Sequence, residues 1–208
     1  MPAPDPTLRD RLVAASGAEW RTALADSDPA VRRTALLSAS RLATSADLAH
    51  LLETALGDAD ASVRREAAEA AGRHPAAARL LRGSLERVLT LDEDTHCREA
   101  AAFALGESTD GSAAAGLVAA LGDEASPLVR EAIAGALGAL GQPGTVGAVV
   151  GLTRGEKPSV RRRAVIALAA FDGPAADSAL EAAAGDRDRY VREAAEWLLR
   201  DDDDPTPW

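Results

Sequence analysis

The residues with the most reactive chemistry sit together in one short stretch, Asp92-Glu93-Asp94-Thr95-His96-Cys97. A thiol next to an imidazole could form a nucleophile and its base. Adjacent residues on a helix, however, point about 100° apart. Cys97 also holds a register position that is valine elsewhere in the chain, so a buried small thiol is expected. The acidic triplet could ligate a cation, but it aligns with an acidic turn that recurs along the chain. The three histidines, His50, His74 and His96, lack the spacing of a metal motif. Gly138, Gly141 and Gly144 lack the strand and the Lys-Ser/Thr context of a phosphate loop. A single cysteine rules out an internal disulfide and a four-thiolate metal site. No catalytic residue, metal site or cofactor is expected.

The elements that carry these residues repeat. A Val-Arg pair occurs at Val31-Arg32, Val63-Arg64, Val129-Arg130, Val160-Arg161 and Val191-Arg192, with Cys97-Arg98 as the sixth copy. The steps are 32, 34, 32, 31 and 31 residues. A fixed period of this size marks a stack of one supersecondary unit. Counting from the valine, position +4 is Ala35, Ala67, Ala101, Ile133, Ala164 and Ala195. Position +8 is Ala39, Ala71, Leu105, Leu137, Leu168 and Leu199. Positions 0, +4 and +8 share one side of a helix, so each copy is an amphipathic helix. Asp28, Asp60, Asp94, Ser126 and Asp188 stand three residues before position zero as N-caps. Pro29, Pro127 and Pro158 suit a first helical position. Gly72, Gly106 and Gly138, nine residues after position zero, could end the helices or permit close packing. A first helix precedes each copy, at 18–25, 47–56, 77–89, 113–121, 145–153 and 175–184. Short acidic turns such as Asp58-Ala59-Asp60 join the two.

The pattern Asp-x-x-x-x-Val-Arg-x-x-Ala at Asp26–Ala35, Asp58–Ala67 and Asp186–Ala195, with Cys97 for valine at Asp92–Ala101, resembles the HEAT-repeat family, in particular the short bacterial repeats also found in phycobilin lyases. The resemblance implies an all-α, right-handed α-solenoid of about six two-helix repeats. It covers residues 17–200, with second helices near 29–41, 61–73, 95–106, 127–140, 158–170 and 189–200. It implies a structural ladder in which Asp26, Asp58, Asp92, Asp123 and Asp186 pair with Arg32, Arg64, Arg98, Arg130, Arg161 and Arg192. Gly155 occupies the place of the turn acid in the fifth copy, which puts that rung in doubt. Residues 1–16 read as an N-terminal segment with a capping helix over Pro6–Ala15. Residues 201–208, Asp-Asp-Asp-Asp-Pro-Thr-Pro-Trp, read as a disordered acidic tail.

Charge and composition narrow the function. The formal net charge is −10 and aromatics are 3% of residues, with Ala, Leu and Val carrying the apolar content. Nucleic-acid binders usually carry a basic excess, so a nucleic-acid partner is not expected. The start of the chain has no signal-peptide pattern and no run of about 18 apolar residues occurs, so a cytoplasmic protein without a membrane partner is expected. The composition has a bacterial, GC-rich bias.

In solenoids of this kind the second helices line the concave face. There, position +6 reads Leu37, Glu69, Phe103, Gly135, Ile166 and Trp197, mostly large and apolar on a side expected to be polar. This is either a recognition face or packing between repeats. In the fourth copy Ala132, Gly135, Gly138 and Ala139 leave the face nearly bare. That is either a shallow pocket or a point of tight helix stacking. The pocket would lie between Phe103 and the pair Ile166 and Trp197, with Glu99 and Glu131 at its edge and Arg162 and Arg163 opposite. Arg65 and Glu69 complete the candidate surface. The function expected is a non-enzymatic scaffold or adaptor binding a protein or peptide on this face. The alternative is an enzyme or lyase subunit acting on a small molecule such as a tetrapyrrole, and less so a HEAT-like DNA glycosylase.

Overall fold

The computed structural model describes residues 17–42 and 45–200. The capping helix expected over Pro6–Ala15 and the acidic segment 201–208 lie outside the described residues. Among the described residues thirteen α-helices follow one another: α1 (Gly17–Leu24), α2 (Pro29–Leu42), α3 (Ser45–Ala55), α4 (Ala61–Gly72), α5 (Pro75–Leu80), α6 (Arg82–Leu91), α7 (Thr95–Glu107), α8 (Ala113–Ala120), α9 (Pro127–Leu140), α10 (Val146–Leu152), α11 (Pro158–Ala167), α12 (Pro174–Ala183) and α13 (Arg189–Leu198). Short 3-10 turns lie at Pro143–Thr145 and Leu168–Ala170. The described residues fall into two compact units, divided between Ser108 and Thr109, each with three helix–turn–helix repeats.

Within the first unit the second helices α2, α4 and α7 pack side by side, and α1, α3 and α5 form the layer behind. Within the second, α9, α11 and α13 are neighbours, backed by α8, α10 and α12. This is the all-α solenoid arrangement. Val63, Cys97, Val129, Val160 and Val191 at position zero are fully buried, and so is every residue at position +4. Leu199 departs from the pattern at position +8 and is 42% exposed, at the C-cap of the last described helix. The first helix of the third repeat is not continuous. It breaks at Leu81 into α5 and α6, just ahead of Arg82-Gly83-Ser84.

The turns between the helices are built by nested carboxylate bonds. The first acid accepts the backbone N–H two residues on, as Asp58 does from Asp60 at 2.8 Å and Asp92 from Asp94 at 2.9 Å. The second acid caps the helix, as Asp60 does for Ser62 N–H and Asp188 for Tyr190 and Val191. Ser126 stands at the N-cap of α9 with extended backbone, but its side chain makes no cap bond. There the turn bond comes from Glu124, whose Oε1 accepts the Ser126 N–H at 2.7 Å. The turn acid of the fourth repeat is therefore Glu124, not Asp123, because Glu124 has the offset of five residues from Val129 that the other copies share.

The repeat arginines close the turns and tie repeats together. In all six, Nη1 donates to a carbonyl of the preceding turn, for example Arg98 to Asp92 and Glu93 and Arg192 to Asp186. In Arg32, Arg64, Arg130 and Arg161, Nε and Nη2 also reach the next turn. Arg32 holds both oxygens of Asp58 at 2.7 Å, Arg64 those of Asp92 at 2.7 and 2.8 Å, and Arg161 those of Asp186 at 2.8 and 2.7 Å. The rung opposite Gly155 is also made. Gly155 turns the chain at φ +72, and Glu156 supplies one oxygen to Arg130 Nε and Nη2 at 3.0 and 2.6 Å. The extra methylene of glutamate makes up for its place one residue later in the turn.

Candidate functional site

The exposed face of α9 is bare because its side chains are small. Gly135, Gly138 and Ala139 lie one helical turn apart, opposite Arg163, Ile166 and Ala167 of α11. A Cβ on Gly138 would sit 2.7 Å from the Ala167 Cβ and 2.8 Å from its Cα, so the two backbones meet here in close contact. Gly135 has more room, as a Cβ there would lie 3.4 Å from the Arg163 Cδ. Between these points the surface opens into a trough of about 300 Å³, completed by Ala169 and Ala170. Ile166 forms its apolar wall and is 40% exposed. Arg162 and Arg163 are exposed, and neither makes a hydrogen bond or ion pair among the described residues. Trp197 stands 60% exposed on α13, the next helix beside α11. Gly138 is thus a packing point between backbones, whereas Gly135 faces only the Arg163 side chain.

The sequence-derived candidates divide between the units. Glu131, Gly135, Arg162, Arg163, Ile166 and Trp197 lie in the second unit, and the structure gathers Gly135, Arg163 and Ile166 around the trough. Arg65, Glu69, Glu99 and Phe103 lie in the first. Phe103 is half exposed, yet one edge of its ring covers Gly72, where a Cβ would come within 2.8 Å. Position +9 at Gly72 therefore faces a neighbouring helix rather than solvent. Arg65 and Glu69 pair with each other at 3.5 Å, and Glu99 contacts His96 Nδ1 at 3.3 Å.

Cys97 is fully buried and its Sγ donates to the Ala61 carbonyl. Burial, then the nearby Asp92, push its thiol up to about 12, so at neutral pH it is not a thiolate. His96 is turned towards Glu99, and the two do not form a nucleophile pair. Among the described residues no cluster of His, Cys, Asp or Glu could hold a metal ion. No helix among them is long and apolar enough to cross a membrane.

A second cleft, of about 450 Å³, was not anticipated from the sequence. It lies on the ladder side of the second unit, lined by Thr153, Arg154, Gly155, Ala179, Ala182, Ala183 and Arg187 around the Arg161–Asp186 rung. The hydrogen bond from Arg161 holds the Asp186 carboxyl below its usual range, despite partial burial. The one sequence signal for this cleft is Gly155, which removes a side chain from the turn.

The HEAT repeats family matches three overlapping stretches, residues 52–137, 81–158 and 114–200. This chain belongs to the HEAT-repeat family. Solved structures of related architecture agree on the fold. The complex of CpcE and CpcF of phycocyanin lyase from Nostoc is 24% identical, with a TM-score of 0.65 over 94% of this chain and 77% of that one. A designed armadillo repeat protein in complex with the peptide (KR)4 is 18% identical, with a TM-score of 0.62 over 89% of this chain and 98% of that one. Human deoxyhypusine hydroxylase is 22% identical, with a TM-score of 0.50 over 95% and 91% of the two chains. No curated protein matches the sequence of this HEAT-repeat chain.

Proposed function

We propose that this HEAT-repeat chain is a non-enzymatic scaffold that binds a partner protein through a peptide segment laid on its second helices. The observation that carries this reading is the trough at Gly135, Arg163 and Ile166, with Trp197 exposed on the adjacent helix. Large apolar side chains held out to solvent beside a concavity mark a recognition surface. The trough is open and lies at the small end of the range of about 300–1,000 Å³ that suits drug-sized ligands. It suits one apolar side chain better than a tetrapyrrole, which favours the scaffold over the lyase subunit. The armadillo neighbour, which holds a peptide, offers a precedent for this use of stacked helices. The lone, buried Cys97 suits a reducing compartment such as the cytoplasm.

The test is selection of peptides from a random display library on the full chain, followed by counter-screening on Gly135→Leu and Ile166→Ser. Enriched peptides should lose at least tenfold in affinity on both variants while the helical signal of each is retained. Absence of enrichment, or equal binding to the folded variants, would overturn the reading.

A further inference from the structure

The charge around the trough runs against that of the chain. The whole sequence carries −10, yet residues 154–163, Arg-Gly-Glu-Lys-Pro-Ser-Val-Arg-Arg-Arg, hold five basic residues and one acid. Two of these groups are committed to ladder bonds: Arg161 holds Asp186, and Glu156 is held by Arg130. Arg154, Lys157, Arg162 and Arg163 remain; Arg154 lines the other cleft, whereas Arg163 lines the trough beside Ile166 and Arg162 precedes it on α11, both exposed and unpaired among the described residues. Glu131, one turn before Gly135 on α9, forms no ion pair with either arginine. Gly135 places no side chain opposite Arg163, so the guanidinium fork can be approached from the trough. An apolar recess lined by one free guanidinium, with a second on the neighbouring residue of the same helix, complements a side chain flanked by carboxylates.

Building on the scaffold reading, we infer that the trough takes an acidic segment of a partner protein: an apolar anchor residue between Asp or Glu residues. The anchor fills the recess at Gly135 and Ile166, and the flanking carboxylates pair with Arg162 and Arg163.

The test is fluorescence anisotropy with two labelled model peptides, a leucine flanked on each side by glutamates and its lysine-substituted twin, titrated onto the full chain. The acidic peptide should bind about tenfold more tightly than its twin and weaken as salt rises. The double variant Arg162→Glu/Arg163→Glu should lose or reverse the preference, with an unchanged melting temperature because neither arginine is bonded. Equal binding of the twins, or a preference that survives the charge reversal, overturns the inference. If the lysine peptide binds better and Ile166→Ser abolishes that binding, the scaffold reading stands and the acidic partner falls. If neither peptide binds, the inference falls, and the display selection then decides the scaffold reading by itself. One further outcome assigns the recess to the chain's own Asp201–Asp204 instead: the acidic peptide binds only after those four residues are changed to Asn. That result would also overturn the assignment to a partner.

Discussion

At the scale of single residues, the ladder rests on arginine geometry. Arg64 spends Nε and Nη2 on Asp92 and Nη1 on the carbonyls of Asp58 and Ala59. A planar fork can serve both turns at once, which a lysine ammonium could not match. Burial pushes the Asp92 carboxyl up, but the Arg64 hydrogen bond, the Asp94 N–H and the charges of Arg64 and Arg98 outweigh it and hold the group below its ordinary value. Asp58 is held down in the same way through Arg32. A carboxylate with a depressed folded-state pKa contributes stability above its unfolded pKa of about 3.9 and loses it as pH falls through the folded value. Stability should therefore be level above about pH 5 and fall below about pH 4. Asp92→Asn should cost about 2–3 kcal/mol at pH 7 and flatten the acid limb. Urea unfolding of both proteins between pH 3 and pH 7 checks this, and an acid limb of equal steepness in the variant would remove Asp92 from the account.

At the scale of elements, two glycines on one helix separate packing from open surface. Gly138→Ala must push Ala167 away, since its Cβ would lie 2.7 Å from the Ala167 Cβ. A loss of about 1–3 kcal/mol is expected for overpacking of this kind. Gly135→Ala meets only the flexible Arg163 side chain, at 3.4 Å, and should gain up to about 1 kcal/mol from helix propensity. Opposite shifts in urea midpoint would establish that contrast, and equal shifts would refute it. Legibility divides along the same lines. Helix identity, most caps and three arginine rungs could be read from the sequence because they follow fixed local offsets. Glu124 and Glu156 were harder to read. Glutamate replaces aspartate in both turns, and in the second the acid is also displaced by one residue, so side-chain reach completes the bond. The trough was legible in part because Gly135 puts no side chain at position +6, where most other copies carry a large one. The cleft at Arg154 was not, since it depends on how the turn at Gly155 opens beside residues of α12 some 25–30 positions away.

At the scale of the whole molecule, stability should be distributed rather than pooled. In a solenoid each repeat rests on its neighbours, so a defect is felt locally and fades along the stack. Arg161 offers a clean test. It is 3% exposed, takes the Glu156 carbonyl on one side and grips Asp186 on the other. Arg161→Ala would leave Asp186 without its guanidinium partner and uncouple α11 from the turn before α13. Hydrogen exchange read by mass spectrometry should then show faster exchange across α11, α12 and α13. Protection in α4 and α7, in the other compact unit, should match that of the wild type. A uniform loss of protection along the chain would instead mean that the repeats unfold as one cooperative block. In that case a substitution at any rung would lower peptide binding at the trough by unfolding it, and only variants of unbonded residues such as Arg162 and Arg163 could report on recognition itself.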